Sequence, residues 1–106
     1  MAKSYLEAKG YETLAVNYQI RGAELDLIMR HGIDHVFVEV KQRKRSDYGS
    51  AAQSISPKKL ARMQQAALQY MQSHYNRDDL PMRFDAVLVE GDVTGYQVQH
   101  LEGIFF

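Results

Sequence analysis

The sequence predicts an α/β domain in which a mixed β-sheet is flanked by helices. Three segments with the patterning of β-strands follow a short N-terminal helix, which indicates antiparallel hairpins. A long amphipathic helix separates the third strand from the fourth, and a parallel strand pair requires a crossover of this kind. The resulting order, αβββαβ, gives a sheet with both antiparallel and parallel pairs.

Local signals set the predicted bounds of these elements. Gly10 suits the residue after a helix C-terminus, and Ser56-Pro57 combines a preferred N-cap residue with a proline at the first helical position. The predicted elements are helix Ala2–Lys9, strands Tyr11–Ile20, Ala23–Met29 and His35–Lys41, helix Pro57–Tyr75 and strand Met82–Glu90. The pattern also allows a fifth, edge strand over Tyr96–Leu101.

The composition is that of a globular protein with a single domain, residues 1–106. Its 45% apolar and 25% charged residues are ordinary values, and 106 residues suffice for one modest core. No stretch is apolar enough to span a membrane, and Met1–Glu7 lacks the features of a signal peptide. The absence of cysteine excludes disulfides and thiolate zinc sites, and it fits a cytoplasmic location.

Charge is unevenly distributed along the chain, although the net charge is zero. Residues 41–62 contain seven basic residues and one acidic residue, Asp47, so this stretch has a local excess of positive charge. It suits contact with DNA phosphates, and it also suits a solvated loop followed by a charged helix start. Arg43, Lys44 and Arg45 directly follow the third strand, so a substrate bound at that strand would pass close to them.

Four charged residues interrupt the apolar pattern of the second and third strands, namely Glu24, Asp26, Glu39 and Lys41. Charges in strands are costly unless they lie at an opening or bind something. Opposed side chains of an antiparallel pair share a face, and a turn near Gly32 predicts a register in which paired residue numbers add up to 65. Asp26 would then face Glu39, and Glu24 would face Lys41. The apolar residues predicted to share the other, buried face are Ala23, Leu25, Leu27, Met29, Val36, Val38 and Val40.

Two carboxylates about 5 Å apart repel each other unless a cation lies between them. A few oxygen ligands, which leave room for water and phosphate, suit Mg²⁺ or Mn²⁺, and the Val40 carbonyl could add another ligand. Lys41 could orient a metal-bound water or offset phosphate charge. Phosphodiester hydrolysis is therefore one interpretation, with Asp26, Glu39 and Lys41 as catalytic residues, the first two as metal ligands and Glu24 as an additional site residue. The other interpretation is a structural salt-bridge cluster on a half-exposed sheet face.

Two motifs occur together, G-x-E-x-D-L-I at Gly22–Ile28 and F-V-E-V-K at Phe37–Lys41, and their combination is more specific than either alone. The residues that accompany them are Tyr11, Asn17, Gln42-Arg43, Tyr48-Gly49, Lys59 and Arg83-Phe84-Asp85. Over nearly the whole chain this set resembles the YraN family of bacterial proteins. That family is assigned to the PD-(D/E)xK nuclease superfamily and is similar to archaeal Holliday junction resolvases.

The resemblance implies a restriction-endonuclease-like fold and a metal-dependent endonuclease that acts on DNA, including branched DNA. It implies that Asp26 is the motif's lone acid, that Glu39-Val40-Lys41 is its E-x-K, and that Lys59 contacts nucleic acid. Members of that family usually have a longer first helix, with a Glu about one turn before the position where this sequence begins, and Glu7 lies farther along. A site without that acid favours a non-catalytic nucleic-acid-binding module of the same fold, and a protein–protein adaptor is the third interpretation. A homodimer is compatible with these residues but does not follow from them.

Other polar residues are predicted to have structural or surface positions. Arg83 and Asp85 are predicted to form a structural ion pair beside the fourth strand. Lys58 and Arg62 suit phosphate contact and solvent exposure equally. Four histidines without metal-ligand spacing are predicted at the surface, and these are His31, His35, His74 and His100.

Overall fold

The computed structural model describes residues 1–43, 55–77, 79–92 and 94–104, and it has a mixed sheet flanked by helices. The elements are helix α1 (Ala2–Ala8), strands β1 (Glu12–Ile20), β2 (Ala23–His31) and β3 (Asp34–Arg43), helix α2 (Pro57–Tyr75), and strands β4 (Met82–Asp92) and β5 (Gly95–Leu101). The predicted order is confirmed, and the edge strand that the pattern allowed is β5. In this described part of the chain, no helix is long and apolar enough to cross a membrane.

The helix ends follow the predicted signals. The Ser56 hydroxyl accepts a hydrogen bond from the backbone N–H of Lys59 at 3.1 Å, and Pro57 occupies the first helical position. After α1, Gly10 has a φ of 94°, a conformation that glycine adopts without the steric cost that other residues meet. At the end of α2, Asn76 takes the left-handed conformation that closes the last turn.

The strands lie in the order β1-β2-β3-β4-β5, so each strand pairs with its neighbours in sequence. β3 and β4 are parallel, and the other three pairs are antiparallel. α2 is the crossover that the parallel pair requires. The register of β2 against β3 is the predicted one, because Leu27 opposes Val38 and Ile28 opposes Phe37, and each pair of numbers adds up to 65.

Apolar side chains cover both faces of the sheet. On one face, Leu6 of α1 packs in a cluster with Leu27 and Val38. On the other face, Met71 of α2 packs in a cluster with Phe37. Burial of this apolar surface stabilises the fold, and it also means that a charged group on either face lies in a poorly solvated environment.

The predicted faces of β2 are wrong for two residues. Leu27 and Met29 pack on the α1 side as expected, whereas Ala23 and Leu25 pack on the α2 side. Side chains of a regular strand alternate between the two faces, so the alternation of β2 breaks between Leu25 and Leu27. Asp26 lies at this break.

The neighbouring strand β1 is also irregular in this region. Its register against β2 shifts between Thr13 and Ala15. Farther along, Asn17 has a φ of 52°, which is rare for a residue other than glycine. Asn17 lies opposite Asp26, because the residues on either side of the two pair with each other. The left-handed residue of this edge strand therefore lies directly opposite the break in β2.

Candidate functional site

The candidate site lies where the pairing between β2 and β3 ends. The ladder of paired residues stops at Leu27 and Val38. Beyond it, Asp26 Oδ2 accepts a hydrogen bond from the backbone N–H of Val40 at 2.7 Å. A side chain thus connects the two strands there, and it fixes the Asp26 carboxyl group beside Glu39.

Glu39 is a buried carboxyl group, with only 6% of the residue exposed. It lies on the α2 face, where its Oε2 is 2.9 Å from the Lys59 ammonium. Burial and a hydrogen bond with Asp26 raise the pKa of Glu39 to about 7, although Lys59 acts in the opposite direction. With a pKa of about 7, the Glu39 carboxyl group is partly protonated at neutral pH in the metal-free protein.

Lys59 comes to the site from the first turn of α2. Its hydrogen bond with Glu39 raises the pKa of the ammonium, and the charges of Asp26 and Glu24 act in the same direction. The sequence placed Lys59 at a nucleic-acid phosphate, and in the structure its partner is Glu39. The ion pair of the salt-bridge interpretation is therefore present, but with Lys59 in place of Lys41.

The two remaining site candidates lie at the margin of the acidic pair. Glu24 is exposed, and its carboxylate accepts a hydrogen bond from the Gln19 side chain at 3.1 Å. Lys41 is half-buried on β3, two residues after Glu39 and therefore on the same face. Among the residues that the structure describes, Glu24 and Lys41 form no ion pair with each other. The expected contact between them is thus absent, because the paired ladder ends before it reaches them.

Two open clefts flank the acidic pair. The first, of about 440 Å³, is lined by Asp26, Asn17 and Val40 together with the start of α1. The second, of about 370 Å³, is lined by Lys59, Arg62 and the turn that joins β1 to β2. Asp26 is therefore reachable from the first cleft, whereas Lys59, the cationic partner of Glu39, faces the second; Glu39 itself lines neither cleft.

Asn17 is a site residue that patterning did not single out. It combines a left-handed backbone with a place in the first cleft, opposite Asp26. Backbone strain of this kind clusters at functional sites and persists only where the surroundings enforce it. The resemblance included Asn17 among its residues, but the sequence contains no local signal for a left-handed asparagine inside a strand.

Asp26 and Glu39 are the candidate metal ligands. Their carboxylate oxygens are donors that Mg²⁺ and Mn²⁺ prefer. Within the described residues, no group of three or more Asp, Glu, His or Cys side chains is placed to hold a metal ion. A metal at this pair would take two protein carboxylates, and a backbone carbonyl and waters would complete its shell, as is usual for Mg²⁺. The donor set thus fits a magnesium-type ion and excludes a closed structural zinc site.

The remaining basic candidates are only partly described. Arg43 ends β3, but its side chain lies outside the described residues, as do Lys44 and Arg45. Lys58 and Arg62 are both exposed on α2. Of these two, Arg62 lines the second cleft.

A second buried polar cluster surrounds Asp85 on β4. The Arg83 guanidinium contacts both oxygens of the Asp85 carboxylate at 2.9 Å, which confirms the predicted ion pair. The backbone N–H of Gly103 donates to Oδ1 at 3.1 Å, and His100 Nε2 lies 2.7 Å from Oδ2. Asp85 is fully buried, and the Arg83 guanidinium also contacts the hydroxyl of Tyr11.

The prediction that all four histidines lie at the surface is wrong for two of them. The His100 side chain is 2% exposed because it pairs with Asp85. His35 is 7% exposed, and its Nε2 lies 3.1 Å from the Tyr75 hydroxyl at the end of α2. Both partners are distant in the sequence, so the spacing of the histidines alone gave no sign of their burial.

The buried carboxyl group makes stability depend on pH in a defined direction. The pKa of Glu39 is about 7, against 4.5 for an ordinary Glu, so the folded protein binds more protons than the unfolded chain between these values. We expect the metal-free protein to lose about 2 kcal/mol of unfolding free energy as the pH rises from 5 to 8. Urea unfolding at several pH values in EDTA measures this loss.

Glu39→Gln is the matched control for that experiment, because it keeps the side-chain shape and removes the titrating group. In this variant the decrease should be clearly smaller. An equal decrease in the variant and the wild type would contradict the raised pKa.

Comparison with known proteins places the sequence among bacterial relatives. A sequence model described as "Uncharacterised protein family UPF0102" matches residues 1–89. A UPF0102 protein of Deinococcus radiodurans is 46% identical over 92 residues, which cover 86% of this chain and 75% of that protein. A UPF0102 protein of Shewanella denitrificans is 41% identical over 105 residues, which cover 99% of this chain and 92% of that protein. A UPF0102 protein of Neisseria meningitidis is 39% identical over 102 residues, which cover 96% of this chain and 88% of that protein.

Proposed function

This chain belongs to the uncharacterised protein family UPF0102, and we propose that it is a metal-dependent endonuclease that hydrolyses phosphodiester bonds of DNA. The proposed metal is Mg²⁺ or Mn²⁺, with Asp26 and Glu39 as its ligands. Branched DNA is the substrate that the likeness to Holliday junction resolvases favours.

The observation that carries the proposal is the meeting of two carboxyl groups at the end of a strand ladder. Glu39 is almost fully buried, and its nearest polar neighbours include a second acid. A purely structural sheet avoids this arrangement, because like charges in a poorly solvated place destabilise the fold. A site that holds a cation requires close carboxyl groups of this kind. A loss of stability for the sake of function is common at such sites.

The residues around the pair support the same chemistry. A bound divalent metal would lower the pKa of a coordinated water and stabilise the negative charge that develops on the phosphate. Asp26, held by the Val40 N–H, has a fixed orientation, as a ligand of a precise site requires. Lys41, on the same face as Glu39, can orient the attacking water or offset phosphate charge. Lys59, with Arg43, Lys44 and Arg45, would hold the DNA backbone.

A second candidate function is a nucleic-acid-binding module that lacks turnover. It is favoured by the absence, within the described residues, of a third acidic or histidine side chain beside Asp26 and Glu39. A site of only two carboxylates depends on waters and substrate phosphates to complete the shell of a magnesium-type ion. Both candidates predict DNA affinity that falls as salt rises, and only the nuclease predicts DNA cleavage.

A cleavage assay separates these candidates. A labelled four-way DNA junction and a linear duplex of the same sequence are incubated with the full chain in Mg²⁺, Mn²⁺ or EDTA. The proposal expects cleavage with either metal, none in EDTA, and none with Glu39→Gln prepared in the same way. Binding without cleavage in every metal would reject the nuclease and leave the binding module. If neither binding nor cleavage occurs, the adaptor interpretation is favoured.

DNA affinity is expected to fall steeply with salt, because phosphate contacts release bound counterions. Neutralising Arg43, Lys44 and Arg45 together should reduce the slope of log affinity against log salt by about 2 to 3 units, since each lost contact removes about 0.9. Fluorescence anisotropy in EDTA at several salt concentrations measures the slope. A slope that does not change would remove this segment from the binding surface.

The control neutralises two basic residues at the other end of the sheet and of α2. Arg30 pairs with Glu12 at 2.7 Å, and Arg77 pairs with Asp79 at 2.6 Å. Changing both to Gln should leave the salt slope near that of the wild type, since neither lies beside the acidic pair.

A further inference from the structure

We propose that Lys59 is the built-in counter-cation of the acidic pair, that a divalent metal displaces it, and that the displaced ammonium then binds a DNA phosphate. This inference rests on the proposed function and extends it. It assigns Lys59 two successive partners. In the metal-free protein the partner is the Glu39 carboxylate, and in the metal-bound protein it is a phosphate of the DNA substrate. Metal binding would then switch on a phosphate contact.

The first argument is that Lys59 uses an atom that a metal would need. Its Nζ lies 2.9 Å from Oε2 of Glu39, which is hydrogen-bond contact for a charged pair. The Glu39 side chain is 8% exposed, and that of Lys59 is 28% exposed, so the ammonium reaches inward to a buried carboxyl group. A divalent cation bound to Asp26 and Glu39 would put two positive centres close together in a poorly solvated place. Repulsion between the two cations then favours departure of the ammonium.

The second argument is that Lys59 can leave without disturbing the fold. Its backbone is held in the first turn of α2, where Ser56 caps the Lys59 N–H. Only the flexible side chain has to move, and the space for it exists, because Lys59 lines the cleft of about 370 Å³. Arg62 lines the same cleft. A displaced Lys59 would therefore lie with a second cation, Arg62, and with the Glu24 carboxylate in the second cleft, where this proposal places a phosphate of the substrate.

The neighbouring lysine offers a matched control. Lys58 is on the same helical turn and is exposed, and among the described residues it forms no ion pair. Lys58→Gln therefore removes the same charge from the same helix end without touching the acidic pair. Lys59→Arg keeps a positive charge at the pair, and Lys59→Gln removes it.

The first measurement is Mn²⁺ affinity by isothermal titration calorimetry, without DNA. Lys59→Gln should bind Mn²⁺ about tenfold more tightly than the wild type, because the metal no longer competes with an ammonium. Lys58→Gln and Lys59→Arg should stay within about threefold of the wild type. Asp26→Asn should not bind.

The second measurement is DNA affinity in EDTA and in Ca²⁺, a divalent ion used here to support binding without turnover. In EDTA, the DNA affinity of Lys59→Gln should equal that of Lys58→Gln, because Lys59 then forms its ion pair with Glu39 and does not contact DNA. In Ca²⁺ it should bind DNA several-fold more weakly than Lys58→Gln, since only a displaced Lys59 reaches the phosphate.

The outcomes distinguish this inference from the proposed function. If Asp26→Asn abolishes Mn²⁺ binding and Lys59→Gln leaves it unchanged, the displacement is wrong and the metal site stands. The displacement is also wrong if Lys59→Gln weakens DNA binding equally in EDTA and Ca²⁺. If no variant and no wild-type protein binds Mn²⁺, both the inference and the proposed metal site are rejected.

Discussion

Replacing Asp26 with Asn is expected to abolish stabilisation by divalent metals and DNA cleavage, while metal-free stability stays level or rises. The structure explains why the metal-free protein tolerates the change. The Asn carbonyl oxygen can accept the Val40 N–H that Asp26 Oδ2 now accepts at 2.7 Å, and the Asn amide can donate to Glu39. One of two close acidic groups is removed, and no hydrogen bond is lost.

Metal binding is affected in the opposite direction. A ligand that binds only the folded state stabilises it by about 2.7 kcal/mol at a concentration one hundred times its dissociation constant. The wild type should therefore melt at a higher temperature in saturating Mn²⁺ than in EDTA, and Asp26→Asn should melt at the same temperature in both. Loss of a ligand charge also removes cleavage, because the metal is no longer held.

Thermal melts of both proteins, with and without Mg²⁺ or Mn²⁺, measure this expectation. The salt-bridge interpretation expects another result. There, Asp26 stabilises the Lys59 cluster, and its loss costs about 1–3 kcal/mol in the absence of metal. A clear fall in the metal-free melting temperature, with no metal effect on the wild type, would reject the catalytic assignment.

Replacing Asp85 with Ala is expected to be the most destabilising of the substitutions considered, at about 3–5 kcal/mol. The Asp85 carboxylate is fully buried and accepts from Arg83, His100 and the Gly103 N–H. Its loss would leave the Arg83 guanidinium with only the more distant carboxylates of Asp34 and Glu102, and it would remove the acceptor of the Gly103 N–H and the partner of His100 Nε2. Such a cost is a large part of the 5–15 kcal/mol by which domains are typically stable.

Urea unfolding of three variants measures this expectation. Asp85→Asn keeps the shape but loses charge and acceptor capacity, so it should fall between the wild type and Asp85→Ala. Asp79→Ala removes the partner of Arg77 at the surface, where the same type of ion pair is exposed. It should leave the unfolding midpoint near that of the wild type. If Asp85→Ala unfolds at the same midpoint as Asp79→Ala, the cluster makes no contribution.

The sequence contained enough to predict the architecture and the β2–β3 register. A register shift of one residue would exchange the faces of all side chains, so the polar and apolar patterns of the two strands limit the choice strongly. The turn near Gly32 then selects one solution. This is why Asp26 and Glu39 were predicted together, and the hydrogen bond from the Val40 N–H to Asp26 Oδ2 holds the Asp26 carboxyl group next to Glu39 in the structure.

Other parts of the site depend on residues that lie apart in sequence. Leu25 packs on the side opposite to the predicted one, because the alternation of β2 breaks at Asp26, opposite the left-handed Asn17, and the sequence pattern of β2 contains no signal of this break. Lys59 pairs with Glu39 only through the docking of α2 on the sheet. His100 is buried because it meets Asp85 across β4 and β5. The periodicity of apolar residues predicts which face of an element a side chain lies on, but it does not predict which residue of another element the side chain contacts.

The sheet topology also has a consequence for how the site assembles during folding. β1, β2 and β3 are joined by short turns, so their contacts close small loops, whereas the β3–β4 pair must close a loop that contains all of α2. Short loops close at a lower entropic cost and therefore sooner. We expect the Asp26 and Glu39 carboxyl groups to meet in an early hairpin intermediate or transition state, before Lys59 arrives. The carboxyl pair is then at first neutralised by solvent protons or ions, and the lysine takes over only when the crossover helix docks.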